Sequence, residues 1–363
     1  KVTLMAENYQ HLEKLGGANF IENIEQDGDV DNFQDYEKKF TEQYKKNLSD
    51  KVVKAWLSKE QRELSDLLSK LQKIDEFGLT ETEDKNSVLL RLHDEAFQEK
   101  ETIGIPTGLE DLDQLLGAFQ NGLSYIVGAR PSMGKTALML YFAREIARSG
   151  AVPLIFSIEM GIELLTRRMI ATEGNINSFI AKNPYRLSES MKDSWQAATN
   201  SLYKLDFEIY DEPYQTPAYI RSKVRQAKKK YEGKQIMVLI DYLTLLDVPG
   251  DYASEHNKVT EISRELKRIA KEFFCPVLTL AQLSRSVENR QDKRAMLSDL
   301  RESGSIEQDA DAILFLYRES YYSKEDDNTM EINVAKNRDG PTGTVTVYYN
   351  KATGKIGDLS DDY

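Results

Sequence analysis

The hydrophobic positions of the chain follow one period in its first part and another in the rest. Up to about residue 78, apolar side chains recur every three or four positions among Glu, Lys, Asp, Gln and Asn, which is the spacing of one helical face. This pattern predicts two amphipathic helices, arranged as a hairpin. The apolar positions are Phe33, Tyr36, Phe40 and Tyr44 in the first predicted helix, and Trp56, Leu64, Leu67, Leu68 and Leu71 in the second.

A polar stretch separates this part from the remainder of the chain. Residues 75–86 are mostly charged or polar and contain one Gly, which predicts a linker, and residues 87–100 have the pattern of a short amphipathic helix. We therefore expect a helical segment over residues 1–78, a linker with a short helix over 79–101 and a larger domain over 102–363. The helical segment is either a simple packing module or a collar for oligomerisation and partner docking.

The larger domain alternates short apolar runs with helical stretches, an order typical of a parallel α/β fold. One helical face, residues 262–273, stops before Pro276, and Thr216 followed by Pro217 begins another helix. Two late runs alternate apolar and polar residues, which predicts an antiparallel edge. The predicted parallel strands cover residues 123–127, 153–158, 207–211, 236–241, 276–282 and 312–317, and the alternating strands cover 331–336 and 344–349.

Composition excludes several classes of protein. No apolar run approaches the roughly 18–20 residues of a membrane span, so we expect no membrane association. Cys275 is the only cysteine, which excludes an internal disulfide and a multi-thiolate metal site and suits a reducing cytoplasm. The net charge of −12 excludes a general basic coat, so any contact with nucleic acid must be local. Because the chain begins with Lys1 and has no signal-peptide pattern, we expect the natural N-terminus to lie upstream.

The segment GARPSMGKT, residues 128–136, lies between a predicted strand and a predicted helix. It follows the pattern G-x-x-x-x-G-K-[ST] except that Ala129 takes the place of the first Gly. Backbone N–H groups at such a helix start bind phosphate, the Lys reaches the β- and γ-phosphates, and the Thr hydroxyl is a ligand for Mg²⁺. The predicted nucleotide contacts are Ala129, Arg130, Pro131, Ser132, Met133, Gly134, Lys135, Thr136 and Ala137.

Acidic and amide side chains follow three of the predicted strands. Asp241 ends an apolar run and is expected to hold Mg²⁺, but the next residue is Tyr242 rather than a Glu that could activate water. Ligands collect at the carboxyl ends of parallel strands, so Glu159 could lie beside the γ-phosphate and act as a base. Gln282 could sense the γ-phosphate by hydrogen bonding. On position alone, Glu159 is equally well a surface residue at a helix start, and Gln282 a capping residue.

A long polar segment, residues 284–311, connects the fifth and sixth predicted strands. Its first half is basic, and a loop of this length in a compact domain tends to be functional or disordered. The sequence RESGS can present Arg301, backbone N–H groups and small residues to a phosphate. No aromatic residue occurs between Leu283 and Ile313, which argues against a base-stacking surface.

At this point several segments together carry a resemblance to a known family. GARPSMGKT, FSIEM, LIDYLTLL, LAQLSRSVENRQDKRAMLSDLRESGSIEQDAD and AKNRDGPTGTV occur in this order. Over residues 102–358 the chain resembles the replicative hexameric DNA helicases of the DnaB type, whose motor has the RecA fold. DLRESGSIEQDAD is much more specific than the phosphate loop. Residues 1–24 and the predicted hairpin more faintly resemble the later part of that family's N-terminal domain, which also predicts a truncated chain.

The resemblance implies roles for individual residues. It makes Glu159 the catalytic base and Gln282 the residue that couples the γ-phosphate to DNA. Arg168 would lie near the phosphates, although Arg167 is adjacent. Lys336 and Arg338 would act in trans, across a subunit interface. The implied contacts to the DNA backbone are Arg301, Glu302 and Gly304.

For the whole protein, the resemblance implies an ATP- and Mg²⁺-dependent helicase. It would work as a ring-shaped homohexamer on single-stranded DNA at a replication fork, moving 5′ to 3′. Primase and a helicase loader would be its partners, with primase on the collar, and the helix at residues 87–100 would dock onto the adjacent motor. Two alternatives use the same nucleotide site: a recombinase-type filament, and a helicase loader or nucleotide-switched scaffold.

Overall fold

The chain divides into two compact units, Lys1–Glu99 and Lys100–Tyr363. No helix among the residues described is long and apolar enough to cross a membrane. The computed structural model describes residues 33–58, 67, 70–71, 74, 85–97, 104–248, 254–300, 304–323 and 327–359.

The described residues of the first unit are helical except Ser58 and Phe97, which lie in turns. Helix α1 spans Phe33–Leu57 and includes Trp56. The sequence analysis assigned Trp56 to a second helix, and that assignment was wrong, because α1 continues without a break past the expected turn. Helix α2 spans Lys85–Ala96, so the short helix predicted over residues 87–100 begins earlier and ends sooner. The hairpin arrangement and most of the predicted linker lie outside the described residues and stay predictions.

A single nine-stranded sheet organises the second unit, in the order β3-β2-β4-β5-β1-β6-β7-β8-β9. The strands from β3 to β6 in this order pair in parallel, and β7, β8 and β9 continue the sheet antiparallel. The strands are β1 (Ser124–Ala129), β2 (Val152–Ser157), β3 (Glu208–Tyr210), β4 (Ile236–Asp241), β5 (Val277–Gln282), β6 (Ala312–Tyr317), β7 (Thr329–Asn337), β8 (Gly343–Asn350) and β9 (Lys355–Asp358).

Helices cover both faces of this sheet. In β4, Met237 and Leu239 pack into the cluster that contains the helix after β1, whereas Val238 and Ile240 pack into a second cluster on the opposite face. Because successive strand residues point to opposite faces, an apolar strand covered on both sides is buried throughout. The helices are α3 (Glu110–Leu116), α4 (Lys135–Arg148), α5 (Ile162–Glu173), α6 (Ser178–Ala181), α7 (Glu189–Tyr203), α8 (Pro217–Lys230), α9 (Glu255–Glu272), α10 (Gly304–Asp309) and α11 (Glu319–Ser323).

The predicted α/β fold with its RecA-like order of elements is confirmed. Each predicted strand is present with its ends within two residues of the prediction, including the antiparallel pair β7 and β8. Thr216 caps α8 as predicted, its Oγ1 accepting a hydrogen bond from the N–H of Tyr219 at 3.1 Å.

Two parts of the second unit were missed. Strand β9 has four residues, of which only Ile356 is buried, too few to form a pattern. Helices α5, α6 and α7 all lie between β2 and β3. The fifteen-residue helix α7 buries only Ala198 and Leu202, so its sequence has almost no apolar stripe to detect.

Candidate functional site

The candidate site lies along one edge of the sheet, at the carboxyl ends of neighbouring parallel strands. Strands β2, β4, β5 and β1 are adjacent in that order. Glu159 follows β2, Asp241 ends β4, Gln282 ends β5, and the phosphate loop, residues 128–136, runs from β1 into α4. Residues from four distant parts of the sequence therefore meet at one edge, as the rule for parallel sheets requires.

The phosphate loop makes a tight turn immediately before α4. Gly134 has φ 107° and Ser132 has φ 68°, so glycine is favoured at position 134 by the backbone itself. A Cβ on Gly134 would also lie 3.3 Å from the ring of Tyr349. Gly128 is required for space, because a Cβ there would lie 2.9 Å from the ring of Phe315. Ala129 is the last residue of β1 and does not have a positive φ, which explains why alanine is tolerated at that position.

Lys135 is a partly buried cation at the first position of α4. Its Nζ donates hydrogen bonds to the carbonyl oxygens of Ala129 at 3.3 Å and Ala281 at 3.2 Å. Burial lowers the pKa of Lys135 to about 8, although the negative charges of Asp241 and Glu159 oppose that shift. A buried ammonium placed beside a phosphate-loop turn is arranged to bind an anion.

Thr136 and Asp241 form a pair of oxygen ligands next to Lys135. Thr136 Oγ1 donates to Asp241 Oδ2 at 2.9 Å, and Asp241 is buried. Burial raises the pKa of Asp241, and the nearby charge of Glu159 raises it further, while the hydrogen bond from Thr136 opposes the shift. A divalent cation at this position would favour the ionised carboxylate.

The described residues contain no cluster of three or more His, Cys, Asp or Glu side chains that could hold a metal alone. One hydroxyl and one carboxylate nevertheless fit Mg²⁺, which keeps several waters and usually takes its remaining ligands from substrate phosphates. Thr136 and Asp241 therefore fit the predicted metal ligands.

Glu159 is exposed and follows the end of β2, where hydrogen bonds fix the residues on either side of it. Ser157 Oγ donates to the carbonyl oxygen of Met160 at 2.8 Å, and the N–H of Ile158 donates to the carbonyl oxygen of Asp241 at 3.1 Å. Ser157 pairs with Asp241 in the register of β2 and β4, so Glu159 lies just beyond the buried carboxylate of Asp241. Its negative charge adds to the rise that burial causes in the pKa of Asp241 and opposes the fall that burial causes in the pKa of Lys135.

Gln282 marks the point where the long loop leaves the sheet. It pairs with Ala129 in the register of β5 and β1 and is exposed. The next residue, Leu283, donates its N–H to the carbonyl oxygen of Ala129 at 3.3 Å and forms a bridge with Leu300, within the long loop. Gln282 is therefore placed next to the phosphate loop and close to the residue that precedes the proposed DNA contacts.

The adjacent arginines on α5 have different surroundings. Arg167 donates to the carbonyl oxygen of Lys182 at 3.0 Å and pairs with Glu163. Burial raises the pKa of Asp241 and of Tyr349, and the positive charge of the exposed Arg168 opposes both shifts. The structure therefore favours Arg168 over Arg167 as the cation near the phosphates.

The side chain of Arg130, in the phosphate loop, turns away from the loop. Its Nε lies 3.0 Å from Glu288 Oε1, and its Nη1 donates to the carbonyl oxygen of Leu283 at 2.9 Å. Arg130 therefore ties the phosphate loop to the start of the long loop after β5.

Arg318 and Tyr349 are further candidate residues that the sequence analysis missed. Arg318 follows β6, and its guanidinium lies 4.8 Å from the ring centroid of Tyr349 on β8. Its Nε and Nη1 are buried, with no hydrogen-bond partner among the described residues. Beside Tyr349, a cleft of about 380 Å³ opens between α4 and α5 and is lined by Ala137 and Arg168. The signal in the sequence was a charged residue, Arg318, directly after the apolar run AILFLY.

Lys336 and Arg338 lie at the opposite edge of the sheet from the phosphate loop. β7 runs antiparallel to β6, and Asn337 pairs with Ala312 at the start of β6, whereas Glu331 pairs with Tyr317 at its end. At ~3.3 Å per residue, the length of β6 separates the two edges by roughly 17 Å. The structure therefore does not bring these two cations to the phosphate loop of their own chain.

The residues expected to contact DNA are only partly described. Arg301 and Glu302 lie outside the described residues, and Gly304 is the first residue of α10. The basic first half of the loop is less available than its composition suggested. Arg290 pairs with Asp299 at 2.6 Å and Arg294 with Glu331 at 2.6 Å.

Comparison with known proteins identifies the family. The model of the DnaB-like helicase C terminal domain matches residues 104–358. The replicative DNA helicase DnaC of Bacillus subtilis (strain 168) is 46% identical over 263 residues, and the replicative DNA helicase DnaB of Geobacillus stearothermophilus is 45% identical over 266 residues. The alignments cover 70% and 71% of this chain, and the chain spans 57% of the length of each relative.

Two solved structures share the fold. One is an ATPase domain that matches with a TM-score of 0.73 and 40% identity, covering 77% of this chain and 99% of that one. The other is a DnaB-like replicative helicase, whose interactions with primase were also described, and it matches with a TM-score of 0.77 and 34% identity, covering 99% of this chain and 87% of that one. The chain therefore belongs to the DnaB-like helicase family, and residues 104–358 form the domain that the family carries at its C-terminal end.

Proposed function

We propose that this protein is an ATP-driven helicase motor that moves along single-stranded DNA as a ring of six identical subunits. The observation that carries the proposal is the convergence of Lys135, Thr136, Asp241, Glu159 and Gln282 at one edge of the sheet. These residues supply a phosphate cation, metal ligands, a base and a γ-phosphate sensor, which together are the parts needed for phosphoryl transfer to water.

ATP is the proposed substrate, with Mg²⁺ between its phosphates and the protein. Mg²⁺ held by Thr136 and Asp241 would neutralise charge on the phosphate oxygens. The phosphates would lie on the turn before α4, with Lys135 on the β- and γ-phosphates. Glu159 would take a proton from the attacking water.

The rest of the nucleotide would lie toward the later strands of the sheet. Tyr349 and the buried guanidinium of Arg318 would contact it, where the cleft beside Ala137 offers space. Arg168, which lines the same cleft, would add positive charge near the phosphates.

The cations that complete the site would come from a neighbouring subunit. Lys336 and Arg338 cannot reach the phosphates of their own chain across the sheet, so their action requires a second copy. A cation supplied in this way stabilises charge that develops on the transferred phosphoryl group, and it makes hydrolysis depend on the position of the neighbour.

DNA would be held on its phosphate backbone at Arg301, Glu302 and Gly304. Such contacts fix the strand without reading its bases. Six copies of one small patch would reconcile DNA binding with a net charge of −12 per chain. The first unit would form part of a collar that binds primase, and α2 would dock onto the adjacent motor. A helicase loader is a further proposed partner, and the bacterial cytoplasm is the proposed location.

ATP turnover measured together with native mass tests the proposed function. We expect single-stranded DNA to stimulate turnover and the mass to correspond to six chains. Open polymers of variable length would favour a recombinase-type filament, and nucleotide binding without DNA-stimulated turnover would favour a loader or scaffold.

Arg301→Ala should weaken single-strand binding equally for all sequences and reduce its salt dependence by about one phosphate contact.

Replacement of the proposed base separates nucleotide binding from hydrolysis. Glu159→Gln should bind ATP with nearly the wild-type affinity and hydrolyse it at least about 100-fold more slowly, because it cannot take a proton from water. Turnover by phosphate release and binding by calorimetry give the two quantities. Glu163→Gln, at an exposed carboxylate on α5, is the matched control and should leave turnover near the wild-type value. Wild-type turnover in Glu159→Gln would remove Glu159 as the base.

The lowered pKa of Lys135 predicts a pH dependence of nucleotide binding. Below pH 8 the amine is charged in the free protein, so affinity should be flat. Above pH 8 the free amine is increasingly neutral, and binding of the anion must take up a proton, so affinity should fall by up to about tenfold per pH unit. Calorimetry with Mg²⁺-ADP between pH 7 and 9.5 measures this slope. Lys135→Ala should bind more weakly and without the slope; a flat wild-type profile would contradict the assignment.

Mixing of variants tests whether Arg338 acts in trans. Arg338→Ala alone should bind ATP and lose turnover by about 100-fold, because one charge-stabilising donor is missing. An excess of Lys135→Ala subunits, which carry an intact Arg338, should restore part of the turnover. Subunits with both substitutions are the control and should restore none. Equal turnover in the two mixtures would show that Arg338 does not act on a neighbouring site.

A further inference from the structure

Lys336 and Arg338 are bound within their own chain at the end of α10. Lys336 Nζ donates to the carbonyl oxygen of Ala310 at 2.7 Å and to that of Glu307. Arg338 Nη2 donates to the carbonyl oxygen of Gln308. These carbonyl groups belong to the last turn of α10 and to the residue directly after it, where a helix leaves carbonyl groups without helical partners and attracts cations.

Asp311, two residues after the end of α10, also binds Arg338 and connects it to the sheet. Its Oδ1 accepts from Arg338 Nη1 at 3.4 Å, and its carbonyl oxygen accepts the N–H of Arg338 at 2.9 Å. Its Oδ2 accepts the N–H of Ser124, the first residue of β1, at 2.7 Å, and also pairs with Lys267 on α9. Asp311 is buried, whereas the side chain of Arg338 is half exposed, so one end of this network is rigid and the other faces outward.

A register shift directs Lys336 into the network. Met330, Ile332 and Val334 of β7 pack into the first core cluster, on the α4 face. Lys336 would point the same way in a regular strand. Pairing with β6 shifts by one residue, so that Leu314 pairs with Val334 but Ile313 pairs with Lys336. Such a shift turns the side chain to the opposite face, where α10 packs.

Asn337, between the two cations, anchors this end of β7 from the other side. Its Nδ2 donates to the carbonyl oxygen of Leu115 at 3.0 Å and to that of Pro341 at 3.3 Å. The three consecutive residues at positions 336–338 therefore each have defined partners, on α10, on the end of α3, and on Asp311.

We propose that Asp311 and the last turn of α10 position Lys336 and Arg338 for the neighbouring nucleotide and transmit strand binding at Gly304 to it. α10 begins at Gly304, itself one of the proposed DNA contacts, and is two turns long or less, so a displacement at its start reaches its last carbonyl groups. The inference rests on the proposed trans role of the two cations. Asp311 and Asn337 are positioning residues, since neither touches the nucleotide.

The test uses the full chain with Asp311→Asn, which weakens the acceptor for Arg338 and keeps its shape. We expect kcat for ATP to fall about tenfold, because a misplaced donor loses much of its effect, with KM within about twofold of wild type. The ratio of turnover with and without single-stranded DNA should also fall. Asn337→Ala, at a site outside the buried ion pair, should give the same pattern if Asp311→Asn does not fold.

Lys267→Gln is the matched control. It removes the other ion pair of Asp311, so it should lower thermal stability comparably while keeping the contact to Arg338, kcat and the DNA ratio near wild type. A loss in Lys267→Gln as large as that in Asp311→Asn would show that the effect is only structural and would overturn the proposal. An unchanged DNA ratio in both Asp311→Asn and Asn337→Ala would also overturn it.

Mixing with Lys135→Ala subunits separates this inference from the proposed function. If Asp311→Asn regains turnover to the extent that Arg338→Ala does, the positioning acts in trans as proposed. If only the Arg338→Ala mixture regains turnover, the trans role stands and the positioning role of Asp311 is overturned. If neither mixture regains turnover, the trans role itself fails and the inference fails with it.

Discussion

The buried ammonium of Lys135 is the constraint on which the rest of the site depends. Its two carbonyl partners belong to different strands, Ala129 on β1 and Ala281 on β5, so the cation exists at this place only because those strands are neighbours. Neither carbonyl neutralises the charge, and burial favours the neutral amine. Asp241 and Glu159 supply partial compensation. An anion would complete the arrangement, and in the proposed function a phosphate chain at the start of α4 supplies the missing charge.

The sheet divides the proposed chemistry between its two edges. The carboxyl ends of the parallel strands hold the groups that bind and activate the nucleotide, and these groups need only one chain. The change to antiparallel pairing at β7 places Lys336 and Arg338 at the other edge. Because the length of β6 separates these side chains from the phosphate loop, the proposed function requires them to act on the site of a neighbouring subunit. In that proposal, dependence on a neighbour would be a consequence of topology.

Most of the fold could be predicted from the sequence because its strands are buried on both faces, so runs such as IMVLID and AILFLY are uniformly apolar. The positions of Asp241 and Glu159 were predictable with them, because parallel topology brings the ends of such runs together, whereas the role expected of Glu159 came from the resemblance. Helices α5 to α7 were not, since α7 buries only an alanine and a leucine. The contact of Arg338 with Asp311 depends on the antiparallel register of β6 and β7. The basic first half of the long loop suggested free positive charge, but Arg290 is paired with Asp299, a contact that only packing reveals. Residue type alone does not reveal whether a cation is already neutralised.

The separation of Asp241 from Glu159 explains why Tyr242 can replace an acidic residue. Two carboxylates adjacent in sequence at the end of one strand would share a single environment. Here Asp241, the proposed metal ligand, is buried and hydrogen-bonded to Thr136, and the proposed base is exposed just after the neighbouring strand. A buried carboxylate suits a cation that replaces water, whereas a base must meet water to deprotonate it. Tyr242 lies instead beside Lys135, its ring centroid 5.8 Å from Nζ, where an aromatic face can accompany the buried ammonium without adding a second negative charge.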